Sequence, residues 1–535
     1  MEKGFKNKIE LLQKRRNKKN WTEIVLWLYL LGYGLFSYAF LTRYPFVHSD
    51  ESWLAGLSRT MLENKSLSVT ESFFDARQRY PHAIKSLFHL LQMAFIEVFG
   101  YSIESVRLLS LIAGLLFLAV FYFLIKKVTK REKLALAITV LFSLDTEFIY
   151  ASHFARQEII LGVSLIAGLF LLLDLFLEGS FKKKETRLRN VVLAAIITGA
   201  SIGLHPNSFL LACSFGSILL FLFITEEKKN GKLFGIYIGI TGLFALFFVA
   251  VSYSFDGQFL THYFANGALE FDVDASLTTK AGELWGFFQR LFERFSGTYY
   301  VTELRFSLLL FAFLVVFLGI YALVMKEMQL GAVLFGVLGL LGGMIIIGRY
   351  NQTSVFFFFP FGYLLFAMLL SMLEKFGRRF FFVGVLVITI GISIGEITPW
   401  LEKTSYESYL SKLQELVPRN AKTIANLNTE FYFDEGCLRD YRNLPYALEQ
   451  GGLKAYIEKN EIEYVVYSTE LDYLYEHRPY FNVIYGNVMF VAELRDFCEK
   501  NCEKVGEFVN TEYGSRVIGI MGQEEYSKVM IYKVN

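Results

Sequence analysis

Apolar and polar residues alternate in long blocks along this chain. An apolar run of about 17 to 25 residues is long enough to cross the hydrocarbon core of a bilayer as a helix. Such runs occur near residues 21–42, 105–125, 134–151, 158–177, 191–205, 208–225, 233–254, 306–325, 329–347, 353–373 and 380–397. The pattern therefore predicts a polytopic α-helical membrane protein with about eleven transmembrane helices.

The apolar run 84–99 differs from the others because it carries Lys85, His89, Gln92 and Glu97. If it lies along the membrane surface, all the positive clusters of the chain fall on one side. These clusters are Lys14 to Lys19, Lys126 to Lys133, Lys182 to Arg189, Lys228 to Lys232, Lys326 and Lys375 to Arg379. If it crossed, the later clusters would oppose the N-terminal one, against the positive-inside rule. We therefore predict an amphipathic juxtamembrane helix, a cytoplasmic N-terminus and an external C-terminus.

This topology divides the chain into three parts. Residues 1–20 form a basic cytoplasmic N-terminus, 21–399 a transmembrane domain, and 400–535 an extracytoplasmic domain. Two long segments of the transmembrane domain lie outside, a first external loop at 43–104 with juxtamembrane helices and a second at 255–305. The second loop mixes aromatic and charged residues, which is typical of an interfacial helix or a cover over a site. A solvated connector packed on the bundle fits the same pattern.

The composition changes after Trp400, where charges become frequent and acidic residues outnumber basic ones. Short segments alternate or run apolar like strands, namely Ala421 to Leu427, Ile462 to Ser468 and Lys528 to Val534. Residues 445–460 are typical of a short helix. We expect a small α/β domain of roughly 130 residues, within the usual size range of a domain.

The overall composition agrees with a membrane location. The chain is 54% hydrophobic and only 19% charged, too apolar for an ordinary soluble protein. Its formal net charge of +2 gives no reason to expect nucleic acid as a partner. The four cysteines lack the spacing of a zinc site, although Cys498 and Cys502 could form a disulfide. The expected location is the plasma (inner) membrane.

Candidate chemistry begins just after the first apolar run, where His48, Asp50 and Glu51 stand together. Placing adjacent charges at a membrane surface costs free energy unless water, a partner or a substrate interacts with them. The following residues 52–63 have helical spacing, so the acids could also serve the N-terminus of a helix. That structural role does not exclude function, because a helix start can orient a catalytic carboxylate.

Other charged residues are expected at the external ends of the spans, in a protein that otherwise keeps its cations inside. They include Arg77, Arg79, Arg107, Arg156, Glu158, His205 and Arg349. A bound anionic group at the outer surface would explain the arginines, because a guanidinium group can donate two parallel hydrogen bonds to the oxygens of one phosphate. Interfacial anchoring of single residues, or a structural ion pair between Arg156 and Glu158, are the simpler alternatives.

Several short motifs occur in an order that carries a family resemblance. They are Asp50-Glu51-Ser52-Trp53-Leu54-Ala55-Gly56-Leu57-Ser58-Arg59, Tyr80-Pro81, Phe99-Gly100-Tyr101-Ser102, Arg107-Leu108-Leu109-Ser110 and Ala155-Arg156-Gln157-Glu158. This order resembles the type C (GT-C) membrane glycosyltransferases, in particular the protein O-mannosyltransferase and aminoarabinose transferase branch, which is often described as dolichyl-phosphate-mannose-protein mannosyltransferase-like. The resemblance covers residues 20 to 210 in their motifs and 210 to 400 in architecture only.

The resemblance implies roles for individual residues. Asp50 would be the catalytic base, Glu51 its companion acid, and Glu158 a second catalytic acid where the family often has Asp. The substrate- or phosphate-binding set would be His48, Arg77, Arg79, Arg107, Arg156, His205, Arg349 and Tyr350.

The implied activity is inverting transfer of a hexosyl- or pentosyl-type sugar from a polyprenyl-phosphate donor to an extracytoplasmic lipid, glycan or protein. No closed metal site is indicated, but Asp50, Glu51 and Glu158 could share a divalent cation with phosphate oxygens. One alternative is a secondary transporter or flippase for a lipid-linked or anionic solute, which typically shows internal symmetry and broken helices. No such symmetry is evident in the sequence. A scaffold or receptor would leave the set of acids and arginines unexplained.

Overall fold

The computed structural model describes residues 2–177, 184–226, 231–271, 276–294, 297–348, 351–479 and 482–535. A helical bundle occupies the N-terminal part, and a small α/β domain packs on one end of it, which we call the capped end. Within the described residues, nine helices are long and apolar enough to cross a membrane, or ten if one bent pair is a single span. The chain is thus an integral membrane protein.

The bundle and the helices at its capped end are, in chain order, α1 Glu2–Ala39, α2 Ser49–Glu63, α3 Ser86–Phe99, α4 Ile103–Thr129, α5 Glu132–Ser143, α6 Thr146–His153, α7 Glu158–Leu172, α8 Lys184–Ala200, α9 Ser208–Thr225, α10 Lys232–Phe255, α11 Phe259–Phe271, α12 Leu277–Phe292, α13 Arg305–Met325, α14 Met328–Ile347, α15 Phe359–Met372 and α16 Lys375–Glu402. The bent pair is α5 and α6, which meet at 69°. Asp145 lies in the break and caps α6 by accepting a hydrogen bond from the backbone N–H of Glu147.

The number of long apolar helices is lower than the eleven predicted, because the bent pair α5 and α6 and the helix α8 are not among the nine. Helix α8 has 17 residues and begins with the charged residues Lys184 and Glu185. It nevertheless returns the chain to the capped end. The start of α9 lies there, because Asn207 donates to Ser354 at 3.3 Å, next to Thr353, which donates to Glu158 at the start of α7.

The run 84–99 forms α3, a helix of only 14 residues. At 1.5 Å per residue it spans about 21 Å, short of the hydrocarbon core of about 30 Å. Phe88 and Ile96 are buried, whereas Val98 and Phe99 are exposed. The helix packs beside α2 and α4, and its position along the membrane surface stays a prediction.

The C-terminal domain is built on a five-stranded sheet. Its strands are β1 Thr423–Ala425, β2 Leu438–Asp440, β3 Tyr464–Ser468, β4 Cys502–Val509 and β5 Lys528–Val534, in the order β2-β1-β3-β5-β4. The pairs β1–β2 and β1–β3 are parallel, and β5 runs antiparallel to both β3 and β4. Its helices are α17 Tyr406–Gln414, α18 Leu444–Glu449, α19 Leu453–Lys459, α20 Glu470–His477, α21 Asn482–Tyr485 and α22 Phe490–Asn501.

The predicted α/β class is confirmed, and the three segments expected to be strands contain β1, β3 and β5. The helix expected over 445–460 is two helices, since Gly451 and Gly452 between them adopt positive φ of 126° and 92°, which side chains disfavour. Cys498 and Cys502 are free thiols in the structure.

The C-terminal domain is held on α2 and the loop that follows it. The guanidinium of Arg59 contacts Glu430 at 2.5 Å and Glu435 at 2.7 Å. The side chain of Asn443 donates to the carbonyl of Phe73 at 2.8 Å. A hydrophobic cluster also runs from the first loop into the domain. These contacts fix the domain against the second half of α2 and the loop that follows it.

Candidate functional site

The site begins at the first turn of α2, which a capping box fixes. The Nδ1 atom of His48 accepts a hydrogen bond from the backbone N–H of Asp50 at 3.0 Å. The Glu51 carboxylate accepts from the backbone N–H of His48 at 2.9 Å. The capping box provides hydrogen-bond acceptors for backbone N–H groups at the start of α2 that have no partner within the helix. It also fixes the direction in which the side chain of Asp50 leaves the helix.

Glu51 and Arg107 form a fully buried ion pair, with both side chains 0% exposed. Arg107 uses all five of its N–H groups, two on Glu51 and three on backbone carbonyls of the first loop, at 2.7 to 3.2 Å. Glu51 also accepts from the backbone N–H of Ala155 at 2.8 Å. The pair therefore ties α2, α4 and the turn after α6 together.

This geometry corrects two expectations from the sequence. Arg107 has no donor left for a phosphate, and Glu51 has no exposed oxygen for an acceptor. Both residues position the site and do not line it.

Asp50 and Glu158 converge on one guanidinium. Nη1 of Arg156 donates to Oδ2 of Asp50 at 2.7 Å, and Nη2 of Arg156 lies 3.2 Å from Oε1 of Glu158. Asp50 is the accessible acid, at 24% exposure, whereas Glu158 is at 5%. Oδ1 of Asp50 makes no hydrogen bond within the described part of the chain, so this oxygen is available to a substrate.

Tyr299 completes the contacts on Asp50. Its hydroxyl donates to Oδ2 of Asp50 and accepts from Arg156, and Asn351 donates to the same hydroxyl at 3.1 Å. The ring stacks on His48, with centroids 4.3 Å apart and planes at 15°. The second external loop therefore reaches into the site, as one interpretation of its sequence proposed.

The surrounding charges set the protonation of this centre. Burial alone would raise the pKa of Asp50, but His48, the Arg156 guanidinium and the Tyr299 hydroxyl hold it well below its usual range. Burial lowers the pKa of His48 to about 3. At neutral pH Asp50 is therefore a carboxylate and His48 a neutral ring, whose Nδ1 is the acceptor.

Arg77 and Arg79 lie beside the first turn of α2, around an aromatic pair. Both guanidinium groups face the rings of Trp53 and Phe74, at 5.2 to 6.0 Å from the ring centroids. Arg79 is bound to the buried Glu71 at 3.1 Å, and Trp53 donates to the same carboxylate at 2.5 Å. Arg79 is thus part of a closed network, while Arg77 lies next to it.

The remaining predicted residues are less central. His205 is at the capped end and accepts from the backbone N–H of Asn207 at 3.1 Å, two residues before α9 begins. Asn207 donates to Ser354, next to the Thr353 that binds Glu158, so His205 lies on the Glu158 side of the site. Arg349 and Tyr350 lie outside the described residues.

Two arginines of the C-terminal domain were not predicted. Arg442, just after β2, stacks over Trp53 at 4.7 Å, and Arg516, between β4 and β5, is also buried. Both lie close enough to Asp50 and His48 for their charges to act on them. The domain is acidic overall, so its sequence gave no sign of a local cationic group.

An apolar cleft lies inside the bundle. It lies between α13, α15 and α16 and is lined by Phe306, Phe311, Phe358, Phe366 and Val385. Residues from the first turns of α13 and α15 line part of it. In the chain, α13 follows Tyr299 and α15 follows Thr353.

The acids do not form a metal site within the described part of the chain. Arg156 lies between Asp50 and Glu158 and contacts both carboxylates. The Glu51 carboxylate is engaged by Arg107. The three acids therefore do not fit a shared divalent cation, because guanidinium groups already compensate them.

Comparison with known proteins supports the resemblance. Residues 88–256, from α3 to the end of α10, match the family model described as dolichyl-phosphate-mannose-protein mannosyltransferase. This stretch contains Arg156 and Glu158 but not Asp50. No curated protein matches the chain by sequence.

Solved structures show the fold. The archaeal oligosaccharyltransferase AglB from Archaeoglobus fulgidus, in complex with an inhibitory peptide and a dolichol-phosphate, is similar with a TM-score of 0.51 and 13% identity, over 85% of this chain and 70% of that one. ArnT from Cupriavidus metallidurans, bound to undecaprenyl phosphate, gives a TM-score of 0.47 and 14% identity over 95% and 97%. The predicted resemblance to the type C glycosyltransferases is thereby confirmed at the level of the fold.

Proposed function

We propose that this chain, which has the type C fold, transfers a sugar from a polyprenyl-phosphate donor to an acceptor at the capped end. One observation carries the proposal. The Asp50 carboxylate is held by Arg156 and Tyr299 through one oxygen, while its other oxygen is open, at the end of a membrane bundle. A fixed, ionised base beside a guanidinium is the arrangement that this reaction needs.

The reaction follows from these positions. The acceptor O–H or N–H gives its proton to Asp50 as its oxygen or nitrogen attacks the anomeric carbon. The new bond forms on the face opposite the lipid phosphate, so the configuration inverts. The bond from the anomeric carbon to the phosphate oxygen breaks, and its electron pair stays on the lipid phosphate. General-base assistance of this kind contributes on the order of 10²- to 10⁴-fold.

The leaving phosphate needs a cation more than it needs an acid, because a lipid phosphate is a stable anion. Arg156 is the cation nearest to Asp50 among the described residues that contact it, and Asn351 adds an amide donor beside it. Burial opposes the charge of Arg156, but Glu158, Tyr299 and Asp50 together raise its pKa. It therefore stays protonated and can stabilise the charge that develops on the phosphate.

Glu158 is best explained as a positioning residue for Arg156. Its Oε1 contacts Arg156 and accepts from Thr353 at 2.7 Å, and it is almost fully buried. A carboxylate with so little exposure is poorly placed to meet an acceptor. It holds the guanidinium that lies between the two acids.

The apolar cleft supports a lipid-linked donor. It opens between helices inside the bundle, and its lining is almost entirely aliphatic and aromatic. A polyprenyl chain in this cleft would place its phosphate at the capped end, near Arg156. We propose that the capped end faces the outside of the plasma membrane, since the positive clusters then lie in the cytoplasm.

Product analysis tests the proposal. The purified full-length protein is incubated with a panel of polyprenyl-phosphate sugars and membrane or glycan acceptors, and the products are identified by mass spectrometry. We expect one glycosylated product that requires Asp50. Absence of any transferred sugar across a broad panel would contradict the proposal.

A further inference from the structure

Arginines from two different parts of the chain act on Asp50. Arg156 belongs to the bundle, while Arg442 and Arg516 belong to the C-terminal domain. Arg156 donates to the hydroxyl of Tyr299, to which Asn351 also donates. The C-terminal domain lies beside the first turn of α2, where Arg442 stacks on Trp53.

Arg516 has hydrogen-bond donors without an acceptor in the described part of the chain. The residue is 4% exposed, and its Nε and Nη1 atoms are buried without a partner among the described residues. Its guanidinium carbon lies 5.1 Å from the centroid of the Tyr485 ring. Buried unpaired donors are rare in folded proteins, since each one costs free energy unless a ligand or water accepts from it.

Arg442 also has hydrogen-bond donors without an acceptor among the described residues. It is 7% exposed, and its Nε donates to the carbonyl of Ile484 at 2.8 Å. Its two terminal nitrogens make no hydrogen bond within the described part of the chain. The fork of the guanidinium is therefore open next to Trp53, in the geometry that binds two oxygens of one anion.

Two buried acids, Asp440 and Glu470, lie near this pair and act on its charge. Asp440 lies 3.7 Å from Nε of Arg442, beyond hydrogen-bond distance. Glu470 accepts from the Tyr485 hydroxyl, from Ser515 and from the backbone N–H groups of Arg516 and Val517. Burial and the charge of Arg516 lower the pKa of Arg442 to about 10, with Arg77 acting in the same direction. The acids therefore compensate the charge of the pair, but Nε and Nη1 of Arg516 still have no acceptor among the described residues.

The unpaired Nε2 of His48, next to Asp50 in the chain, is a second observation of this kind. His48 is 3% exposed, and Nε2 has no hydrogen-bond partner among the described residues. Because Nδ1 accepts from the Asp50 N–H, Nε2 carries the proton and is a donor. The charges of Arg442 and Arg516 both act on this ring.

We propose that Arg442 and Arg516, next to Arg77 and Trp53, form a site for an anionic group, a phosphate or a carboxylate, carried by the acceptor. A donor anchored by its lipid chain in the bundle brings its phosphate to the Arg156 side. The arginines of the C-terminal domain are then left for the acceptor, whose nucleophile must reach Oδ1 of Asp50. This inference rests on the proposed function, because it assigns to the acceptor the group that meets Asp50.

The test uses the full-length protein loaded with undecaprenyl phosphate, so that a donor phosphate site is already filled. Inorganic phosphate is then titrated, with chloride at matched ionic strength as the reference, and thermal unfolding is recorded. We expect a saturable rise in Tm for the wild type. Arg516→Met and Arg442→Gln should weaken the apparent phosphate affinity about tenfold or more, the size expected for a lost charged hydrogen bond.

Two further variants separate binding from folding. Arg419→Gln removes an arginine of the same domain that is 58% exposed, and it should keep the wild-type response. Arg516→Lys retains the charge and should recover part of the lost affinity. If Arg516→Met is unstable, the comparison of Arg442→Gln with Arg419→Gln still decides the matter.

Three outcomes would overturn the inference. They are a wild type without a saturable response, a response unchanged in both Arg442→Gln and Arg516→Met, and variants that lose undecaprenyl phosphate binding instead, which would assign the arginines to the donor. Sugar transfer is measured separately. If Asp50 proves dispensable for transfer, the proposed function fails, whereas the phosphate titration fails only if these arginines do not bind an anion.

Discussion

Nη1 of Arg156 lies 2.7 Å from Oδ2 of Asp50, although 106 residues separate them in the chain. The contact joins the start of α2 to the turn between α6 and α7. It leaves the second oxygen of Asp50 open and keeps the carboxylate ionised. The proposed chemistry depends on this pair more than on any other contact.

Replacing the base should remove transfer without unfolding the protein. Asp50→Asn keeps the shape of the side chain but cannot take the acceptor proton, so the rate of transfer should fall by at least about 10²-fold. Asp434→Asn, at a carboxylate that is 58% exposed in the C-terminal domain, is the matched control. Product formation and the melting temperature are measured for both. An Asp50→Asn enzyme with wild-type turnover would refute the assignment.

The pH dependence of transfer should respond to Tyr299. The hydroxyl of Tyr299 helps to lower the pKa of Asp50, so wild-type activity should be lost only as the pH falls below the usual carboxylate range. Tyr299→Phe removes this hydrogen bond and keeps the ring on His48. The pKa of Asp50 should rise, and the acidic limb of the kcat/KM profile should move to higher pH.

Tyr300→Phe is the control for this profile, because the hydroxyl of Tyr300 donates to Glu396 and not to Asp50. Its acidic limb should coincide with that of the wild type. Equal shifts in both variants, or a shift of the Tyr299→Phe limb to lower pH, would contradict the account of Asp50.

Glu51 should behave as a structural residue. Glu51→Gln leaves the buried charge of Arg107 without its partner, and breaking a buried pair in this way costs about 3 to 5 kcal/mol. We expect a large fall in melting temperature and in the yield of folded protein. A stable Glu51→Gln protein that has lost transfer would instead support the catalytic role that the sequence suggested.

The orientation in the membrane can be measured directly. Lys454 lies on the C-terminal domain and is 71% exposed, so Lys454→Cys provides a surface thiol there. In sealed, right-side-out vesicles a membrane-impermeant maleimide should label this thiol, against a background variant in which the four native cysteines are replaced by Ser. Labelling only after the membrane is opened would place the capped end in the cytoplasm.

The sequence predicted the elements that depend on local pattern. Apolar length identified most spans, and the motifs led to Asp50, Arg156 and Glu158. Three predicted strands coincide with β1, β3 and β5. The short β2 and the mostly exposed edge strand β4 carry too weak an apolar pattern to be recognised.

The errors have a geometric cause. Asp50 and Glu51 are neighbours in sequence, but consecutive residues of a helix point about 100° apart. One therefore faces the site and the other the core, where Arg107 meets it. Their adjacency could not reveal this. Tyr299, Arg442 and Arg516 reach the site through long-range packing, and a single sequence carries no sign of such contacts.

Release of free polyprenyl phosphate tests the central claim most directly. Purified wild type and Asp50→Asn are incubated with a lipid-linked sugar and its acceptor, and the lipid phosphate is quantified together with the glycosylated product. The account predicts equal amounts of lipid phosphate and product from the wild type, and neither from Asp50→Asn. Wild-type protein that moves the lipid-linked sugar across the membrane intact, with no lipid phosphate released, would contradict it.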